Sequence, residues 1–198
     1  MKCWSVPTAV VLRHIARHRY SGTDSRHTDG LPFRPVKILF LLNDGFGIGG
    51  TITTTFNLGS ALAARGHQVE VLSTMRRRDM PHMSLHPAVR LMALVEVRTG
   101  HPDYAGDDPR HGQPARFYPK ADYRASDYDR YTEDRYRRYL RGSDADAIIA
   151  TRPGLLAYLA AFGPSDKIKI GQEHWYAVST APPCARRCRA TCVDSTPS

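Results

Sequence analysis

Gly45, Gly47, Gly49 and Gly50, directly ahead of Thr51, are the residues of this chain best suited to hold an anion. Glycine reaches positive φ and leaves no Cβ in the path of a ligand. If a helix begins at Gly50 or Thr51, its free N–H groups and dipole point into the loop, which favours a phosphate. A tight turn whose glycines serve packing alone is the plain alternative. Two more polar pairs, Thr151-Arg152 and Glu173-His174, each follow a short apolar run. In an open α/β sheet, the ends of such runs are where ligands bind.

The elements around these residues follow from periodicity. Val36–Leu42 is a short apolar run broken only by Lys37, read as a strand buried on both faces. Residues 51–65 have helical spacing, with Ile52, Phe56, Gly59 and Ala63 along one side and Leu58 and Leu62 beside it. Gly66 sits at the helix C-terminus and Val69–Ser73 is the next strand, completing a βαβ unit. Val89–Val95, Ala145–Ala150 and Lys167–Ile170 are three further strands. Residues 127–141 form a charged helix with Tyr128, Tyr131, Tyr139 and Leu140 on its inner face, and residues 154–162 a second helix, opened by Thr151-Arg152-Pro153. His101–Pro119, rich in Gly, Pro, Asp and His, is a long surface excursion. The expectation is a doubly wound parallel α/β sheet of Rossmann-like type over residues 36–174.

Composition excludes several classes. The chain has 198 residues, 41% hydrophobic and 24% charged, as in globular proteins, and no run of about twenty apolar residues. The net charge of +9 points to an anionic partner, but much of it lies at the two ends. Residues 1–35 read as a disordered leader, or as an extension from a start codon placed too far upstream. Contact of this basic segment with an anionic membrane surface is the sharper alternative. Arg76, Arg77 and Arg78 read as a solvated loop. Tyrosines and arginines interleave in 127–141, yet Asp127, Asp129, Glu133 and Asp134 would repel phosphates, so no nucleic-acid partner is expected.

No metal is expected either. His82 and His86 are four apart but flanked by Pro81 and Pro87, which argue against a helix that would bring them together. Cys184, Cys188 and Cys192 lack zinc-ribbon spacing. Residues 36–174 contain no cysteine, which suits a reducing cytoplasm. From Trp175 to Ser198 periodicity ceases and Pro, Arg and Cys accumulate, as expected of an aberrant, disordered tail from a truncated or frameshifted gene product.

Two loop chemistries compete. Gly45-x-Gly47-x-x-Gly50 fits the dinucleotide fingerprint, but Asn43 and Asp44 separate it from the strand. The second strand also ends without the acid that would hold a ribose, although Arg76–Arg78 would meet the 2′-phosphate of NADP. The stretch KILFLLNDGFGIGGTITTTFNLGSALAARGHQVEVLS, with the later TRPGLLAYLA and IGQEH, resembles the N-terminal half of a bacterial family 4 glycosyltransferase. The resemblance covers residues 36–174 and implies the first domain of a two-domain GT-B fold.

It also implies transfer of a sugar from a nucleotide-sugar donor, with retention of configuration, to a glycan, lipid or cell-envelope polymer acceptor. By the same resemblance Gly49, Gly50 and Thr51 approach the donor diphosphate, His174 lies beside the transferred sugar as the catalytic residue, and Arg152 and Glu173 border the pocket. No cofactor or metal is implied beyond the nucleotide-sugar co-substrate. The second domain, with most of the nucleotide contacts, lies outside the resemblance, so an N-terminal fragment inactive alone is expected. An NADP-binding module, and a non-catalytic acceptor-binding or interaction domain, are the readings from other classes.

Overall fold

The computed structural model describes residues 34–172. The expected N-terminal extension up to residue 33, the tail from Trp175, and Glu173 and His174 lie outside the described residues.

Five strands form one sheet: β1 (Lys37–Leu42), β2 (Gln68–Arg76), β3 (Val89–Glu96), β4 (Ala147–Ala150) and β5 (Ile168–Gly171). Their order is β3-β2-β1-β4-β5 and every pair is parallel. Three helices cover the sheet: α1 (Gly50–Ala64) between β1 and β2, α2 (Arg130–Arg141) before β4, and α3 (Pro153–Phe162) between β4 and β5. The fold is the α/β, Rossmann-like doubly wound sheet expected from the sequence. Parallel neighbours need crossover helices, and those helices bury both faces of the sheet.

Alternation along β1 divides the core. Ile38, Phe40 and Leu42 join Val69, Val71, Ile52, Phe56 and Ala63 beneath α1. Leu39 and Leu41 face the other way, packing with Leu72, Leu94, Ile148, Tyr136, Leu140, Leu155 and Tyr158. A strand paired on both sides leaves no polar face, which explains why Ile38–Leu42 of β1 is apolar without a break. Gly66, at φ 88, takes the left-handed turn that ends α1. Leu58 on α1 is exposed rather than packed beside the inner stripe.

Three sequence expectations need correction. The charged helix starts at Arg130, because Asp129 caps it through Thr132 N. This start sets Thr132, Glu133, Tyr136 and Leu140 inward, so Tyr136 is the buried helical tyrosine, while Tyr131 and Tyr139 are half-buried and Tyr128 precedes the helix. Thr151 does not cap α3; it is buried, its Oγ1 donating to Leu41 O at 2.8 Å, and Arg152 occupies the cap position. Arg76 belongs to β2 rather than a loop, its guanidinium 5.2 Å over the Phe46 ring.

The excursion after β3 is tied down by charge. Glu96 accepts from Arg98 Nε at 2.8 Å, from Arg98 Nη2 at 2.7 Å and from Arg98 N at 3.0 Å. The guanidinium bonds, opposed by burial and reinforced by the Arg98 amide, hold the Glu96 carboxyl at about 2, below its ordinary 4.5. A depressed carboxyl stabilises the fold fully above its unfolded pKa, and that contribution disappears as pH falls through the folded value. Stability should therefore decline from about pH 4.5 toward 2 on account of this group. Urea unfolding against pH should show that decline, and Glu96→Gln should flatten it.

Candidate functional site

The order β3-β2-β1-β4-β5 reverses direction between β1 and β4, whose carboxyl ends open onto a cleft of about 310 Å³. That is the switch point where doubly wound sheets bind ligands. Gly49, Gly50 and Thr51 line one wall and Thr151 and Arg152 the other. Of the residues expected at the site, these four (Gly49, Gly50, Thr51 and Arg152) are brought together.

The glycine wall is a helix N-terminus without a cap. The first backbone bond of α1 is Thr53 N to Gly49 O at 3.0 Å, so the amides of Gly50, Thr51 and Ile52 precede the intrahelical ladder. No side chain caps this end and no acid lies in its first turn. A Cβ on Gly49 or Gly50 would meet nothing within 4 Å. Gly49 has φ 164 and ψ 160, extended backbone open to any residue. Neither packing nor conformation requires glycine at these two positions; the effect of having it is clear space in front of three free amides.

The loop before them is fixed from below. Gly45 N donates to Ser73 Oγ at 2.8 Å, and Ser73 Oγ donates to Met75 O at 2.7 Å. Asp44 Oδ1 accepts from Phe46 N at 3.0 Å, and Asp44 Oδ2 lies 3.6 Å from Arg77 Nε. Arg77 also lies 3.5 Å from Asp127 Oδ1, and Arg76 donates to the carbonyls of Arg78 and Asp79. Two of the three arginines expected to meet a 2′-phosphate, Arg76 and Arg77, are thus engaged with the protein.

The opposite wall includes residues that periodicity did not reveal. Arg152, buried, donates to Asp122 Oδ1 at 2.7 Å and to Tyr123 OH at 3.2 Å, with its guanidinium 4.7 Å over the Tyr123 ring. Burial opposes its charge, but the Tyr123 hydroxyl and the Asp122 carboxylate raise its pKa and keep it protonated. The Arg124 guanidinium lies 5.3 Å over the same Tyr123 ring and 3.4 Å from Asp127. Partial burial of the Tyr123 hydroxyl works against ionisation, yet bonds from Arg152 and Arg124 carry its pKa below the ordinary tyrosine value. Tyr123 and Arg124 line the cleft and come from an irregular segment, so no spacing rule marks them.

A layer of tyrosines supports this wall. Tyr118 stacks on Tyr128 at 3.8 Å between centroids and donates to Asp122 Oδ2 at 3.1 Å. Tyr128 OH donates to Asn43 Oδ1 at 2.6 Å, and Thr74 Oγ1 is 2.6 Å from Tyr136 OH. The hydroxyls of Tyr128 and Tyr136 join the ends of β1 and β2 to α2 and the residues just before it, while burial holds both above the ordinary tyrosine pKa. They serve as fixed hydrogen-bonding groups.

No family model matches the chain. Among curated proteins it is similar to an exopolysaccharide phosphotransferase of Streptomyces coelicolor, 35% identical in an alignment of 149 positions that covers 70% of this chain. The chain spans 15% of the length of that relative. No described helix is long and apolar enough to cross a membrane.

Among the described residues, no three His, Cys, Asp or Glu side chains group as metal ligands, and His86 Nδ1 accepts from Ala88 N at 3.2 Å.

Proposed function

We propose that the cleft between β1 and β4 holds the diphosphate of a nucleotide-sugar donor, in a transferase that builds exopolysaccharide. The observation that carries this reading is the uncapped start of α1, with open space over Gly49 and Gly50, facing Arg152 and Arg124. Backbone amides at a helix N-terminus and guanidinium groups together suit a phosphate that gains charge as a bond to it breaks. They could neutralise the leaving group without a metal. The name of the Streptomyces relative supports a phosphate-bearing substrate and an exopolysaccharide product.

The finer reading is a retaining glycosyltransferase of GT-B type. Breaking the bond between the sugar and the diphosphate leaves a nucleoside diphosphate on the α1 amides, with the sugar passing to a glycan or lipid-linked acceptor. Phosphotransfer would instead break a P–O bond within the donor and leave a nucleoside monophosphate. His174 and Glu173 remain proposed neighbours of the sugar through the resemblance.

Calorimetry on the chain with UDP- and GDP-sugars and with NADPH tests the site. A nucleotide sugar should bind more tightly than NADPH. Arg124→Ala should weaken it about tenfold, the loss expected for one charge-assisted hydrogen bond. Gly49→Val should leave folding intact and abolish binding, because its side chain would fill open space above the amides. Tighter binding of NADPH, or donor binding untouched by Gly49→Val, would sink the proposal.

A further inference from the structure

A second and larger cavity, of about 590 Å³, lies beyond the carboxyl ends of β2 and β3, between Met75, Arg77 and Val97 on one side and residues 111–114 and 125–129 on the other. We infer that this cavity is a binding site for an uncharged polyhydroxyl ligand, a sugar ring, read by His111 held in place by Asp129. The inference goes beyond the anion cleft and does not depend on it.

Asp129 has a tightly defined position. Its Oδ1 accepts from Thr132 N at 2.8 Å, the cap of α2, and its Oδ2 accepts from Gly112 N at 2.9 Å. His111 Nδ1 lies 2.7 Å from the same Oδ2. That short contact sets the Nδ1 edge of the ring against the carboxylate. The start of α2 further fixes this strip through Arg130 N to Gln113 O at 2.8 Å and a bridge between Pro114 and Asp129. Orientation of one imidazole nitrogen by a carboxylate prepares the other to meet a ligand.

Nε2 of His111 is left for one hydrogen bond at a ring 39% exposed on the cavity wall. A hydroxyl can serve it either as donor or as acceptor. The remaining lining mixes the Ser126 hydroxyl and the Arg77 guanidinium with an apolar floor of Met75, Val97 and Tyr128. Sugar rings offer the same combination, hydroxyl edges and C–H faces. An anion is disfavoured: Arg77 is already shared by Asp44 and Asp127, and Asp129 adds a further negative charge. The two cavities therefore differ in the groups they present, one an uncapped helix start suited to phosphate and the other an imidazole and a hydroxyl suited to a neutral ring.

Two-dimensional 1H–15N NMR of the 198-residue chain tests this with free glucose, galactose, mannose and N-acetylglucosamine, none of which carries phosphate. At least one should shift the His111 ring nitrogens and the amides of Gly112 and Ser126. His111→Ala should abolish the shifts, and Asp129→Asn should weaken the affinity tenfold or more. Inorganic pyrophosphate, used as a contrast, should shift Gly50 and Thr51 and leave His111 unmoved. No response to any hexose, hexose shifts confined to Gly49–Thr51, or shifts unchanged in His111→Ala would overturn the inference. Because a free hexose has no diphosphate, failure of donor binding at the first cleft leaves this result readable.

Discussion

Gly154→Ala should lower stability by about 2–3 kcal/mol, a fall in Tm of roughly 5–10 °C, although alanine is the better helix former. Gly154 lies in the first turn of α3, and exchange of a helical glycine for alanine ordinarily gains about 0.5–1 kcal/mol. Here a Cβ would sit 2.1 Å from Tyr118 Cζ and 2.3 Å from its hydroxyl. The ring has nowhere to retreat. It is 4% exposed, stacked on Tyr128, edge-on to Tyr158 at 5.5 Å, and bonded to Asp122. Overpacking therefore outweighs propensity. Removing the ring should reverse the sign: in a Tyr118→Ala background, Gly154→Ala should be neutral or stabilising. Chemical denaturation of the four members of that cycle reads the coupling directly. A rise in Tm for Gly154→Ala in the native background would show that Tyr118 does not occupy this position. Since Tyr118 holds Asp122, and Asp122 holds Arg152, the same substitution should also weaken ligand binding at the cleft.

This dependence of one element on another explains what was legible in the sequence. The strand–loop–helix–strand unit could be read because its signals are local. Ile38–Leu42 is apolar throughout, the glycines follow within a few residues, and Gly66 closes α1. Arg152 could be placed at the ligand edge from topology alone, since it follows β4 directly. Its partners could not. Asp122 and Tyr123 lie 30 and 29 residues away in an irregular segment, and Tyr128 reaches Asn43 across 85 residues. The inward face of α2 is legible only in part. Leu140 and the preceding Tyr128 are buried as their spacing suggests, but the Asp129 cap sets a phase that also turns Thr132 and Tyr136 inward and leaves Tyr131 and Tyr139 half-buried. His111 carries no motif because its partner is 18 positions further along the chain, past a left-handed turn at Gly112. Local chemistry thus exposed the glycine wall, whereas the opposing wall depends on how a long connection packs.

Glu133→Ala should be as damaging as a core truncation, costing roughly 3–5 kcal/mol, while Glu133→Gln should cost only about 1 kcal/mol. Glu133 is fully buried on the inner face of α2, an unusual place for a carboxylate. Its Oε2 accepts from Arg116 N at 2.9 Å and Phe117 N at 2.8 Å, and Arg137 Nη2 lies 3.8 Å from Oε1. Alanine would leave these two partly buried amides without their acceptor and open a void at the fully buried Glu133 site. Glutamine retains a carbonyl oxygen that can serve both amides and gives up only the charge-assisted part of the bonds. Comparing the two variants by urea unfolding separates the hydrogen-bonding role of Glu133 from its charge. Similar losses in both would mean that the ion pair with Arg137 dominates. The consequence for function follows from where the amides lie. Arg116 and Phe117 immediately precede Tyr118, and the chain then delivers Asp122, Tyr123 and Arg124 to the cleft. Freed from α2, that segment would no longer hold Arg152 through Asp122 or present Tyr123 across from Gly49. Glu133→Ala should thus lose affinity for a nucleotide sugar at temperatures where the sheet is still folded, and Glu133→Gln should keep it. A buried carboxylate that touches no ligand would then act as the anchor of one wall of the site.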